Sequence, residues 1–570
     1  MAKTKQLFPL KKSGISIPDL LAFALIFSLF IAVLTLGRYW TGPLQAAEPV
    51  ELSLTSLPYA AFFSLSRIAI AYVICLISSI AIGYWAAHSR IAEMLLVPLI
   101  DIGQSIPVLG FLPGLVLTFL SIFPESRVGL EIAAILTLYT GMAWNLMLSF
   151  YGSIKTIPRE YLETIRAYGY GRLGILLRLE LPFAMNGLIW NSMLSIAGGW
   201  FFLTVCESYT LGDKSFRLLG LGSFMAYAAE QGNIQAMISG IVVMILILFF
   251  TDHFFWNPLL RWSERFQKIT PVDDTDDKDN VMNFFKKSKR ITNFIRKMRR
   301  RYAVEFFINQ KKKKRKIETY KKTKNFLLLF ISLITLFFCV WGIFTGADMV
   351  ASISQQEWIL ILINTGWSML RVFCVLLICT FTMVPLGLWL GSRPELVKKI
   401  QPFIQIIAAF PAPMIFPILI LLFFWLSIPI SVGSILLMMT GAQWYLLFNV
   451  ISGSTNIPSS LIDVAKVSGM SKLTIMQRVY LPAAFPQILT GLITAAGGAW
   501  NTSIVAELVF FRGQEYIAPG LGSYIAKSAS SAHYAELVAA IFVMVVVIVL
   551  LNRFFWAKLY NLAESKYRLD

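Results

Sequence analysis

The sequence predicts an all-α polytopic membrane protein: two tandem, parallel six-helix repeats carrying about 12 transmembrane helices. Three observations predict this class. The 570 residues are 57% apolar, with a mean hydropathy of +0.68, outside the range of a soluble globular chain. Apolar runs of about 20 residues, each enough to cross a hydrocarbon core as a helix, recur along the chain. Finally, the second half repeats the first. Pro158, Gly169, Arg178 and Leu181-Pro182 recur as Pro458, Gly469, Arg478 and Leu481-Pro482, each at an offset of 300.

The first repeat covers 1–256. Its spans are expected near 18–37, 64–87, 94–122, 129–152, 184–206 and 235–256. Lys3, Lys5, Lys11 and Lys12 precede the first run and no small-residue cleavage site follows it, so Ile17 to Leu36 is read as a retained span. The lysines place the N-terminus inside, and the arginines of 158–182 (Arg159, Arg166, Arg172, Arg178) place that stretch inside as well. Six spans return the chain to the same side at Arg261 and Arg265, in agreement with the charges.

A linker, 257–324, follows. It opens on Asp273, Asp274, Asp276, Asp277 and Asp279 and then turns basic, with KKKKRK at 311–316. Between Lys286 and Lys324 stand 18 Lys/Arg against Glu305 and Glu318, so 16 of the chain's net +19 sit in this one segment. Charge confined to a loop between membrane bundles points to anionic lipid, not nucleic acid, as its partner. Its simplest role is a solvated tether.

The second repeat, 325–570, has spans expected near 325–345, 359–391, 401–427, 431–452, 486–508 and 535–556. Thr140-Gly141 and Trp144 map to Thr440-Gly441 and Trp444, and Gly220-Leu221-Gly222-Ser223 maps to Gly520-Leu521-Gly522-Ser523. Earlier in each half the offset is 304, with Arg67 facing Arg371, Gly83 facing Gly387 and Pro113 facing Pro417. An even number of spans per half gives both halves one orientation, so the repeats are related by an axis along the membrane normal. The five cysteines (Cys75, Cys206, Cys339, Cys374, Cys379) lie in apolar runs without metal-ligand spacing and read as small core residues.

The stretches 158–182 and 458–482 each read as a short helix, a glycine break, a second short helix and a proline stop. An exposed helical hairpin between membrane spans suits a docking surface for a cytoplasmic partner. These residues resemble the membrane-permease subunit of a binding-protein-dependent ABC importer with the type I fold. The hairpin is similar to that family's EAA loop, whose coupling helices enter a cleft of the ATPase. On that resemblance Glu163, Ala167 and Gly169 in the first half, and Asp463, Val467 and Gly469 in the second, would carry ATPase coupling. The second half departs from the pattern with Asp463 in place of a glutamate, the first with Thr164-Ile165 in place of two alanines. Residues 481–508, LPAAFPQILTGLITAAGGAWNTSIVAEL, with GLGSYI at 520–525, are similar to the nitrate/sulfonate/taurine/bicarbonate branch, in its duplicated form.

The resemblance implies a multi-pass protein of the bacterial inner membrane with both termini cytoplasmic, and a small solute, an anion, as cargo. It implies two copies of an ABC ATPase subunit and a periplasmic or lipid-anchored substrate-binding protein as partners. ATP and Mg belong to the ATPase; no cofactor is expected on this chain. The residues agree, since no Gly-x-x-x-x-Gly-Lys-Ser/Thr stretch occurs, and the chain itself is expected to catalyse no covalent change.

Ionisable residues inside spans mark candidate pathway positions. Arg67 and Arg371 match between halves and are expected either to face a central cavity and attract an anion or to snorkel between helices. Glu207 and Glu507 close the fifth spans, where they would pin an outer loop or meet the pathway. Trp200 and Trp500 are candidate lining residues, with packing as the plainer role. Asp101 faces Gln405 and Gln104 faces Ala408 across the repeat, so one half keeps a carboxylate that the other lacks. An ion-gradient-driven transporter with parallel repeats is the competing class. It would need carboxylates or histidines within spans, and His88, His253 and His533 all fall near span ends.

Overall fold

The computed structural model describes residues 28, 31, 34–43, 50–211, 214–264, 266, 342, 344–455 and 457–567. Contacts divide the chain into two units: 1–42 with 270–347, and 43–269 with 348–570. The second unit holds nearly all the described residues and is the one described below. The expected first spans (18–37 and 325–345) fall largely, and the basic stretch 286–324 wholly, outside the described residues.

Each half has one order of elements. In the first, α1 (Leu57–His88) leads to α2 (Arg90–Ser105), α3 (Val108–Ile122) and α4 (Val128–Lys155). Then come α5 (Arg159–Ala167), α6 (Arg172–Cys206), a hairpin of β1 (Ser208–Leu211) and β2 (Lys214–Arg217), α7 (Leu221–Glu230) and α8 (Ile234–Ser263). The second half repeats this as α9 (Gln355–Gly391), α10 (Pro394–Ala409), α11 (Ala412–Trp425), α12 (Ile430–Thr440) and α13 (Gln443–Thr455). It continues through α14 (Ser459–Val467), α15 (Lys472–Ala506), β3 (Leu508–Phe511), β4 (Gln514–Ile517), α16 (Leu521–Ser530) and α17 (Tyr534–Ala563). Among the described residues, seven helices are long and apolar enough to cross a membrane, or nine if two bent pairs each count as a span.

Four features depart from the helix pattern read from the sequence. The third span of each half is broken at a proline: α2 stops before Ile106-Pro107, and α10 before Phe410-Pro411 with an 82° bend. A residue before proline is driven out of the helical region, and Ile106 and Phe410 accordingly sit extended. The fourth span of the second half bends by 41° at Gly441-Ala442, where a Cβ on Gly441 would lie 2.2 Å from Thr502 Oγ1.

Leu181-Pro182 and Leu481-Pro482, expected to stop the hairpin's second helix, do not. A π turn at Leu176–Glu180 lets the Leu181 N–H reach Leu176 O, and the helix runs through the proline as one 35-residue element. Met476–Tyr480 does the same in the second half. Widening the helix by one residue relieves the clash between the proline ring and the preceding turn. Last, each half inserts an antiparallel hairpin, Ser208 opposite Arg217 and Leu508 opposite Ile517. Its turn in the second half uses left-handed Arg512 and Gly513, as a two-residue hairpin requires.

Within each half the helices pack along glycine-bearing seams. A Cβ on Gly141 would meet the Phe202 ring at 2.6 Å, and one on Gly498 would meet Gly441 O at 2.8 Å. Bare backbone there lets α4 approach α6, and α12 and α13 approach α15. The two halves are bonded to each other: Val108 N donates to Asn501 Oδ1 (2.8 Å), and Arg512 N donates to Ala229 O (3.0 Å) at the end of α7.

Candidate functional site

Two buried ion-pair clusters hold one end of each half. Arg67 on α1 donates from Nε and Nη2 to both oxygens of Glu131 on α4, each at 2.7 Å, and from Nη1 to Glu207 Oε1 at 2.7 Å and Leu219 O at 2.8 Å. Glu207 also accepts from Ser64 Oγ (2.6 Å) and from Gly222 N (2.7 Å) in the first turn of α7, so the carboxylate caps that helix. In the second half Arg371 donates to Glu507 Oε1 (3.0 Å) and Pro519 O (2.7 Å), while Ser368 Oγ (2.6 Å) and Gly522 N (2.8 Å) donate to Glu507. Ser431, at the place of Glu131, offers Arg371 only its backbone carbonyl, 3.4 Å from Nε.

The same contact explains the repeated Gly-Leu-Gly-Ser. A Cβ on Gly220 would stand 2.3 Å from the Glu207 carboxylate, and one on Gly520 2.3 Å from that of Glu507. No side chain fits between the capping carboxylate and the backbone it caps.

A cavity of about 950 Å³ lies between the halves, lined by α2, α4 and α6 from the first and by α9, α13, α15 and α17 from the second. Its wall is aromatic and amide-rich: Trp144, Trp190, Trp444, Tyr445 and Phe448 stand beside Asn145, Asn191, Asn449 and Asn501. Asp101 and Gln104, one helical turn apart on α2, both reach it. Among the described lining residues Asp101 is the sole charged side chain. Asn191 Nδ2 donates to Ser149 Oγ and Gly187 O (3.0 Å each), which orients that amide. Trp144 Nε1 and Ser195 Oγ are buried without a hydrogen-bond partner among the described residues, and both residues line the cavity.

The candidate pathway residues fall in different places, and the span arginines and glutamates take the interhelical and loop-pinning arrangement. Arg67 and Arg371 do not line the cavity, and Glu207 and Glu507 do not either. All four are buried in one another's company because a charge taken out of water needs a partner within bonding distance. The tryptophan pair divides: Trp500 lines the large cavity and Trp200 a separate small one with Gln405, each only 2% exposed and therefore mostly packing. Glu131 has no repeat partner to mark it in the sequence, because the second half carries Ser431 there. A lone acid inside an apolar run was nonetheless a signal.

The hairpins lie elsewhere, on the surface. Glu163, Ala167 and Gly169, and Asp463, Val467 and Gly469, are all exposed. Gly169 (φ +77°) and Gly469 (φ +74°) close their helices in the left-handed conformation, with Tyr170 N bonded to Ile165 O and Met470 N to Ala465 O. That is the two-bond glycine cap of helix C-termini. Asp463 pairs with Lys466 (3.3 Å), and the Arg178 guanidinium lies 4.5 Å from the Tyr170 ring centre. Among the described residues no group of three or more His, Cys, Asp and Glu is placed to hold a metal.

Comparison with known proteins follows the same duplication. The family model "Binding-protein-dependent transport system inner membrane component" matches twice, over 79–255 and 383–557, together more than half of the chain. The chain is similar to the bicarbonate transport system permease protein CmpB of Synechococcus elongatus, 29% identical over 171 residues, 30% of this chain and 58% of the relative. It is also similar to the nitrate import permease protein NrtB of Leptolyngbya laminosa, 29% identical over 191 residues, 32% of this chain and 63% of the relative. A third is the taurine transport system permease protein TauC of Escherichia coli, 26% identical over 160 residues, 28% of this chain and 57% of the relative. The chain spans less than two thirds of the length of each of these relatives. Matched twice over most of both membrane halves, the chain belongs to the binding-protein-dependent ABC transporter permeases, as a fused tandem duplication with the type I fold.

Proposed function

We propose that this chain is the complete permease of an ATP-driven importer: the cavity between its halves is the translocation pathway, and the hairpins 158–182 and 458–482 couple it to two copies of a separate ATPase. The observation that carries the reading is the pair of surface hairpins. The described side chains of α5 are none of them buried, and apolar tips such as Val467 and Val464 stand 90% and 64% exposed. Apolar side chains presented at the end of a rigid hairpin suit a protein partner's cleft. ATP and Mg would act on that partner, through Glu163, Ala167, Gly169, Asp463, Val467 and Gly469 on this side. Closure of the two ATPases would draw the hairpins together and turn the cavity outward, and hydrolysis would reset it.

The relatives named for bicarbonate, nitrate and taurine support a small solute bearing an acidic group as cargo. A periplasmic or lipid-anchored binding protein would deliver it, at the inner membrane of a bacterium with both termini in the cytoplasm, and the stretch 286–324 would lie on anionic lipid. The test is reconstitution of the chain with its ATPase into vesicles without an ion gradient. Uptake of labelled taurine, nitrate or bicarbonate that requires ATP, and fails when Gly169 and Gly469 are both changed to valine, is expected. Uptake driven by an ion gradient without ATP would contradict the reading.

A further inference from the structure

We propose that His88 and Glu180 form a protonation-dependent latch that ties the first hairpin to α1 and opens as pH rises, and that the second hairpin has no such latch. The latch stands on geometry; its bearing on transport rests on reading the hairpins as the coupling elements.

His88 ends α1, and Glu180 ends the π turn through which the first hairpin runs on into its membrane helix. His88 Nε2 lies 2.9 Å from Glu180 Oε1, and His88 Nδ1 lies 2.9 Å from Tyr84 O. A carboxylate and a carbonyl only accept, so both bonds exist together only while the ring carries a proton on each nitrogen. The Tyr84 ring stacks on the imidazole, 4.2 Å between centres, and holds its plane. The two partners differ in their access to water. The His88 side chain is 37% exposed and can trade protons with solvent, whereas that of Glu180 is 1% exposed. Glu180 Oε2 has no hydrogen-bond partner among the described residues, which leaves the imidazolium to compensate a buried carboxylate.

Among the described residues, the titratable and charged groups that face His88 are Tyr84 on its own helix and Glu180 and Arg172 on α6. Arg172 is exposed, and its charge opposes that of the ring. When the ring loses one proton, one of its two bonds becomes acceptor against acceptor, and the Glu180 charge is left out of water without its cation. An imidazole ordinarily titrates near about pH 6.5, so the pair is closed on the acid side of the ring's titration and opens on the alkaline side. The second half lacks both groups. Ser392 stands 304 residues after His88, and Tyr480 stands 300 after Glu180. Ser392 Oγ donates to Trp389 O (2.8 Å), a bond that no proton in this pH range controls.

Amide hydrogen exchange of the full chain, purified in detergent and followed peptide by peptide, tests this. Stretches 172–182 and 472–482 share one backbone course, a short helical turn, a π turn and the start of a span, so the ratio of their exchange cancels its base-catalysed rise. Between about pH 6 and about pH 9 the ratio of 172–182 to 472–482 is expected to rise about three-fold or more. Glu180→Gln should show the raised ratio at both pH values, and His88→Arg, which stays charged, should hold it low at both. A ratio that stays flat in the unsubstituted chain, or one that climbs as steeply in either variant, would overturn the proposal. The comparison within the unsubstituted chain needs neither a folded variant nor an ATPase. A chain found without an ATPase would therefore sink the importer reading and leave the latch standing, whereas a flat ratio would sink only the latch.

Discussion

Arg67 and Arg371 carry the most consequence for a single side chain. Each is almost fully buried, and truncating one partner of such a pair leaves the other charge without compensation, at a cost of about 3–5 kcal/mol. Glu507→Ala should therefore lower the melting temperature of the detergent-solubilised chain sharply. Arg67→Ala should be worse than Arg371→Ala, because it strands both Glu131 and Glu207, whereas Arg371 has a single carboxylate partner among the described residues. Equal melting of the two variants would contradict this assignment. Gly520→Ala places a Cβ 2.3 Å from the Glu507 carboxylate, and overpacking of that kind costs about 1–3 kcal/mol, to be read in the same melt. The sequence made these arginines visible as charges in apolar runs and as a matched pair. It did not say what compensates them, because hydropathy measures the cost of burial and not the partner that offsets it. Ser64 and Ser368 went unread for a plainer reason: a serine in a span is unremarkable until its hydroxyl is found on a carboxylate.

For the elements, the hairpins were the most legible part of the chain. Proline, glycine and leucine-proline at fixed spacing state a helix, its end and its successor, and the caps at Gly169 and Gly469 have the bonds this spacing predicts. A valine at either site must adopt a left-handed conformation, which costs roughly 1–2 kcal/mol. Gly469→Val alone is expected to lower ATPase co-purification measurably, and the double variant to abolish it. What the pattern concealed was continuity. Leu181-Pro182 reads as a stop, yet a π turn carries the helix through it, and no composition rule distinguishes the two. The breaks at Pro107 and Pro411 were hidden in the opposite sense, since apolar residues on both sides of a proline look like one span. The four-residue strands were too short to show an alternating pattern.

Across the whole molecule, duplication and asymmetry act together. The repeat supplies two equivalent bundles, two capped helices and two hairpins, and it was readable because the offsets of 300 and 304 hold over most of both membrane halves. The cavity wall is not equivalent across the halves: Asp101, Ser195 and Asn191 come from one, and Thr490, Thr494 and Asn501 from the other. Offsets could show that Asp101 lacks a matching carboxylate, but only the packing of α2 against α4 and α17 puts it at the cavity while its counterpart Gln405 lines another. The most direct test of the account is to purify the chain from its native membrane and determine which proteins accompany it and in what ratio. An ATPase at two copies per chain, lost when Gly169 and Gly469 are both changed to valine, is the expected result. A chain that purifies alone and moves solute down an ion gradient would contradict it.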